Sequence, residues 1–298
     1  MLVTRLTNRK LRLIRWVLAR KGFGLIQLAP SPTNRYLPND LGLSVEETFA
    51  AVSGFTMTGI ERVQALVNAT RYVIAANVEG AIVECGVWKG GSMMAVARTL
   101  LEAGVVDREL WLFDTFSGLT EPSNVDASVG GLSAKSYLNQ AASLTGAERE
   151  THLCVAAVES VRANLEATGY PSERLKFVVG DVLETLPFEG LGGIALLRLD
   201  TDWYESTRHE LDHLFANMTP GGVLICDDYN FWLGHRKAID DYFSDLGETL
   251  LMCRIDSSAA MAVVSETVVA KAKRKAESYR SLVVAPPTES PSTCFRVD

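Results

Sequence analysis

Two stretches of the chain end in clustered carboxylates: Leu197-Arg198-Leu199-Asp200-Thr201-Asp202 and Leu224-Ile225-Cys226-Asp227-Asp228. If both are neighbouring strands, their acids crowd one sheet edge, which is costly unless a cation neutralises them. An all-oxygen ligand set selects a hard ion, and Mg²⁺ keeps several waters beside a few carboxylates. Such an ion lowers the pKa of a bound hydroxyl and fixes its orientation. A nearby carboxylate can then take the proton as the oxygen attacks a methyl group on a sulfonium. Asp200, Asp227 and Asp228 are therefore the candidate metal ligands, and Asp200 the candidate base. Asp202 can instead cap the helix that follows. The plain alternative is a set of solvated loop acids with no metal.

A second site signal is Val83-Glu84-Cys85-Gly86-Val87-Trp88-Lys89-Gly90-Gly91-Ser92. It follows an apolar run and opens a helical one. Glycines there let the backbone turn sharply and approach a ligand, and a helix N-terminus suits an anion. The spacing Gly-x-x-x-Gly-Gly departs from the dinucleotide fingerprint and suits a nucleoside with an amino-acid tail better than a pyrophosphate. Glu84 could accept from an ammonium group, Asp114 from a ribose diol and Asp181 from an adenine amino group. All three close parallel strands, the edge at which open α/β sheets bind ligands. Each could equally be a helix N-cap, and the turn itself a plain strand-to-helix connection.

The elements needed to position these residues are legible. Strand candidates are Ala81–Cys85, Leu110–Asp114, Leu175–Val179, Ile194–Leu199 and Gly222–Cys226. Helices are expected over about Ser92–Glu102, Val158–Thr168 and Ser206–Asn217, and after Leu233. Near-continuous apolar strands call for a sheet covered on both faces. Thr249–Ile255 and Ala259–Val264 read as an antiparallel hairpin. The expected fold is α/β, Rossmann-like: a mostly parallel sheet with a C-terminal hairpin and helices on both faces. Residues 45–78 have helical periodicity, with Thr58 or Gly59 as a start signal. Residues 45–265 form the expected catalytic domain. Before it come a basic amphipathic helix at 7–21 and a Pro-rich segment at 28–44, together 1–44. After it, at 266–298, come a basic helix and a Pro/Ser/Thr-rich tail read as disordered.

Composition excludes some classes. The 298 residues carry a net charge of −7, which disfavours general nucleic-acid binding. Residues 1–22 run against this, with seven basic residues and no acid. Their helix either packs on its own domain or lies on an anionic membrane surface. No apolar run approaches the ~20 residues of a bilayer span, and no cleavage site follows the N-terminus. The five cysteines are widely spaced with no Cys-x-x-Cys, so a reducing cytoplasm is expected, with peripheral contact at the inner membrane surface as an extension. His209-Glu210-Leu211-Asp212-His213 matches a zinc-hydrolase pattern. It is set aside because its helix links two strands and no third ligand is near.

Taken together, Thr56-Met57, the glycine turn, Phe113-Asp114-Thr115-Phe116-Ser117-Gly118-Leu119, Leu197 through Thr207 and Asp227-Asp228-Tyr229 resemble the macrocin O-methyltransferase family, in order from about residue 55 to 245. The resemblance implies a class I methyltransferase fold with S-adenosylmethionine as donor and a divalent metal, Mg²⁺. It implies methylation of a hydroxyl on a (deoxy)sugar of a natural product or glycoconjugate. Carried over, Asp200, Asp227 and Asp228 hold the metal, with Asp200 also the base. Met57, Glu84, Gly86, Gly90, Gly91, Ser92, Asp114, Thr115, Asp181 and Val182 hold the donor. Trp88, Trp203, Tyr204 and Tyr229 face the acceptor. Thr201 and Trp203 depart from the family's usual Gly and aliphatic residue beside the acceptor. That leaves open a catechol-like diol stacked on Trp203, or a glycolipid acceptor at a membrane. A donor-binding protein without catalysis is the reading from another class. A homo-oligomer is expected.

Overall fold

The buried apolar runs of the sequence pair side by side in a computed structural model, which describes residues 43–284. The strands are β1 (Ala81–Cys85), β2 (Leu110–Asp114), β3 (Leu175–Val179), β4 (Ile194–Leu199), β5 (Met218–Cys226), β6 (Cys253–Arg254) and β7 (Ala260–Val263). They form one seven-stranded sheet in the order β3-β2-β1-β4-β5-β7-β6. The first five are parallel, and β7 runs antiparallel to β5 and β6. The central strands β1 and β4 are buried at every residue, as a sheet covered on both faces requires. This is the expected Rossmann-like α/β architecture.

Ten helices are described: α1 (Leu43–Val52), α2 (Ile60–Ala75), α3 (Gly91–Glu102), α4 (Ala134–Ala142), α5 (Gly146–His152), α6 (Val158–Glu166), α7 (Val182–Thr185), α8 (Tyr204–Leu214), α9 (Leu233–Asp245) and α10 (Glu266–Val284). One face of β1 and β4, through Val83, Cys85, Leu197 and Leu199, packs with Leu211 of α8, Ile239 and Phe243 of α9, and Val268, Val269 and Ala272 of α10. Strand alternation turns Glu84 and Arg198 to the other face, the side on which α2 crosses β4 and β5. The helix expected after residue 266 is thus part of the core of the described body.

Differences from the sequence reading have local causes. The 45–78 stretch breaks at Gly59, which caps α2 in extended conformation. β5 begins at Met218 because Ile194 of β4 pairs with it across an irregular register. Only two residues of the first hairpin arm pair, and Leu251 before them is 84% exposed, so nothing buries the rest. α8 begins at Tyr204, whose N–H donates to Asp126 Oδ1 at 2.8 Å. The cap therefore comes from the 119–150 insertion, and not from Asp202. The expected basic helix at 7–21, nearly all of the Pro-rich segment and the tail with Cys294 lie outside the described residues. Among the described residues, Cys85, Cys154, Cys226 and Cys253 are free, and no helix is long and apolar enough to cross a membrane.

Asp126 pins the insertion to the body. Its Oδ2 accepts from Ser123 N and Oγ, both at 2.7 Å. A Cβ on Gly234 of α9 would fall 1.7 Å from Asp126 Oδ1. Gly234→Ala is expected to expel this carboxylate from the α8 N-terminus and lower stability by about 2–3 kcal/mol. A thermal melt beside the wild type reads it; an unchanged melting temperature would contradict the role of Asp126.

Candidate active site

The carboxyl ends of the parallel strands surround a cleft of about 600 Å³. Gly86 makes the closest strand approach. It has φ 83°, and a Cβ there would meet Asp200 O at 2.1 Å, so only glycine lets the end of β1 lie against the end of β4. Gly91 is equally tight. Its N–H donates to Phe55 O at 3.0 Å, and a Cβ would meet that oxygen at 2.6 Å. This draws the strap 55–58 over the start of α3.

Asp114 closes β2 and braces the turn. Its Oδ2 accepts from the N–H of Val87 at 2.5 Å and of Trp88 at 2.9 Å, and its Oδ1 from Phe116 N at 2.6 Å. Burial raises its carboxyl above the ordinary range, against the pull of these backbone donors. Asp181 accepts from Leu183 N at 2.9 Å as the cap of α7 and also lines the cleft. The capping alternative and a place in the cleft thus hold together for this residue. Asp114→Asn sets an amide NH₂ against backbone N–H groups. It is expected to weaken donor binding by more than about tenfold and to cost about 1–3 kcal/mol of stability. Calorimetry with S-adenosylhomocysteine and a thermal melt check both; unchanged affinity would contradict it.

Of the other residues assigned to the donor, Met57, Gly86, Gly91, Ser92, Thr115 and Val182 line the cleft. Glu84 and Gly90 do not. The Cβ direction of Gly90 faces Leu165 and Val161, so this glycine serves packing against α6. Glu84 is 1% exposed and lies behind the wall, register-paired with Arg198. Trp88 and Trp203 line the cleft. Trp203 is built into the wall, its Nε1 donating to Thr120 O at 3.0 Å and its ring edge-on to Trp232. Tyr204 and Tyr229 point elsewhere, their hydroxyls donating to Asp241 at 2.9 Å and Asp240 at 2.7 Å.

The acid cluster gathers at the ends of β4 and β5. Asp200 N donates to Cys85 O and Asp227 N to Leu199 O, which continues the sheet ladder and sets the carboxylates side by side. One oxygen each of Asp200, Asp227 and Asp228 lies within 4.8 Å of the others. Among the described residues this is the group that could hold a metal. Beneath it is a buried cation absent from the sequence reading. Arg198 Nη1 donates to Asp200 Oδ2 at 2.7 Å and to Glu84 Oε1, and Nη2 to Asp227 Oδ1 at 2.6 Å. A second, Arg62 of α2, donates from Nη1 to Asp227 Oδ2. Burial opposes ionisation of Asp227, but Arg198 and Arg62 outweigh it and hold this carboxyl below its ordinary value. Burial and the neighbouring acids push Asp200 and Asp228 well above theirs, and burial, then Asp200, raises Asp202 to about 7. Asp202, left-handed at φ 65°, also lines the cleft and hydrogen-bonds to Asp228. Ser258 Oγ donates to Asp228 Oδ1 at 3.0 Å.

The insertion supplies Leu119, Thr120, Ser128, Leu132 and Tyr137 to the cleft, joined there by Phe231 and Trp232. An arginine inside the apolar run of β4 was a readable signal for Arg198. Nothing in the local sequence marks Arg62, Ser258 or the aromatic wall.

The family model described as macrocin O-methyltransferase matches residues 46–262. Over 205 residues the chain is 34% identical to the 8-demethyl-8-(2,3-dimethoxy-alpha-L-rhamnosyl)-tetracenomycin-C 4'-O-methyltransferase of Streptomyces olivaceus, covering 68% of this chain and 73% of that protein. It is 32% identical over 187 residues to the demethyldecarbamoylnovobiocin O-methyltransferase of Streptomyces niveus, covering 63% and 67%. The solved structure of the O-methyltransferase NovP superposes with a TM-score of 0.62 at 28% identity, covering 71% of this chain and 83% of that one. The match spans the glycine turn, Asp114, Asp181 and the Asp200, Asp227 and Asp228 cluster, and the chain belongs to the macrocin O-methyltransferase family: it is an S-adenosylmethionine-dependent O-methyltransferase.

Proposed function

We propose that the enzyme methylates a sugar hydroxyl of a natural product or glycoconjugate, with Mg²⁺ held by Asp200, Asp227 and Asp228. The observation that carries this is the placement of three carboxylates from two adjacent strand ends on the wall of the cleft that the glycine turn and Asp114 also line. The set, all carboxylate and lining the cleft, suits a hard divalent ion. When bound, such an ion lowers the pKa of the acceptor hydroxyl and orients it, and the donor supplies an electrophilic methyl. The relatives named above are named for a rhamnosyl tetracenomycin and for demethyldecarbamoylnovobiocin, and the first of these supports a glycoside acceptor.

The protein's own groups do the rest. The turn 86–91 and Asp114 would seat the donor. The wall of Tyr137, Trp203 and Trp232 would exclude water and place the sugar. The sequence nominates Asp200 to take the hydroxyl proton. A second reading gives that proton to Asp202. Asp200 already accepts from Arg198, whereas Asp202 lines the cleft and hydrogen-bonds to Asp228, with its carboxyl raised to about 7 by burial and then by Asp200. Trp203, closed into the wall, offers less support for a catechol stacked on its face.

The test is mass spectrometry of glycosides and catechols incubated with donor and Mg²⁺, with a chelator control. Methylated glycoside that disappears with chelator is expected. Full-rate transfer in chelator would remove the metal from the account, and a catechol-only product would remove the sugar.

A further inference from the structure

Both oxygens of Asp227 are already engaged by guanidinium groups, and the two arginines differ in freedom. Arg198 is fixed, 4% exposed and bonded to three carboxylates. Arg62 lines the cleft, and its side chain is 19% exposed. It stands between two acids. Nη1 donates to Asp227 Oδ2, while Nε lies 2.9 Å from Asp256 Oδ2 without a hydrogen bond to it. Asp256 is held independently, its Oδ1 accepting from Ser258 N and Ala259 N, both at 2.7 Å.

Resting on the metal reading above, we propose that Arg62 is a movable counter-cation. It competes with the divalent ion for Asp227 Oδ2 and passes to Asp256 when the ion is taken up. Arg198 keeps Oδ1 throughout. Like charges at one carboxylate oxygen repel strongly where water is scarce, so the two cations do not share Oδ2. Asp256, a few ångströms away, leaves the displaced guanidinium paired. Ser258 ties the same turn to Asp228, so the β6–β7 connection carries both the docking acid and a support for the cluster.

The arginine and its docking acid give opposite predictions. Chelator-stripped, full-length protein is titrated with Mn²⁺, read by electron paramagnetic resonance and by calorimetry. Arg62→Gln is expected to bind Mn²⁺ about tenfold more tightly than the wild type, and Asp256→Asn several-fold more weakly. In chelator, Arg62→Gln melts below the wild type, and added Mn²⁺ raises its melting temperature by more. Circular dichroism confirms that each variant is folded, and Asp256→Asn keeps the test alive if Arg62→Gln is not. Weaker or unchanged Mn²⁺ binding by Arg62→Gln, or unchanged binding by Asp256→Asn, would overturn the proposal. A wild type that binds no Mn²⁺ would overturn the metal reading and this inference with it.

Discussion

Arg198→Met is expected to lower stability by about 3–5 kcal/mol, because it strands Glu84 in the interior without a counter-charge and leaves Asp227 with Arg62 alone. Their side chains are 1% and 4% exposed, so water cannot replace the guanidinium. For a chain of this size each kcal/mol is worth about 2–4 °C, and the melting temperature should fall by roughly 10 °C. The loss should depend on pH. Burial already raises Glu84 to about 7 with Arg198 beside it, and removing the arginine raises it further. An acid whose folded pKa lies above its unfolded value binds more protons when folded, so stability falls as pH rises through that window. The variant should therefore be closer to the wild type at acidic pH than at pH 8. Replacing Glu84 as well, in Glu84→Met/Arg198→Met, should recover part of the loss, since two partners removed together cost less than one left behind. Additive single and double effects would show that the pair is not coupled.

Asp228→Asn should abolish both divalent-ion binding and methyl transfer while sparing the fold. Asp228 is bonded to Ser258 and Asp202 rather than to either arginine, so losing its charge relieves crowding among acids. A drop of at least about 100-fold in kcat/KM, near 2.7 kcal/mol of transition-state stabilisation, is expected, with a melting temperature equal to or above the wild type's. Asp202→Asn separates the two candidate bases. If Asp202 takes the proton, the variant keeps its Mn²⁺ affinity and loses kcat. If Asp200 does, the variant retains most of its rate. An Asp228→Asn enzyme of ordinary activity would refute the metal role outright.

These contrasts also show what the sequence disclosed. The strands β1 to β4 were legible to the residue because each is a short, largely apolar run closed by an acid or a glycine, a pattern that burial on both faces imposes on β1 and β4 and that persists at the half-exposed edge strand β3. Asp200, Asp227 and Asp228 were legible because their position at strand ends follows from the same runs. The pairing of Glu84 was not legible. Strand alternation turns it toward Arg198, behind the cleft, and a strand end seen in one dimension does not say which way its side chain faces. Tyr204 and Tyr229 fail for a similar reason, since each lies next to a site acid in sequence but hydrogen-bonds to an aspartate of α9. The cap of α8 comes from Asp126, 78 residues away, and Arg62 meets Asp227 across 165. No local pattern encodes contacts of that separation.

The most direct measurement is an anomalous difference map from crystals grown with S-adenosylhomocysteine and soaked in Mn²⁺. One peak is expected among the carboxylates of Asp200, Asp227 and Asp228, on the cleft side of Arg198 and facing the sulfur of the bound nucleoside. A map with the nucleoside in place but no peak there, or with Mn²⁺ elsewhere, would contradict the account.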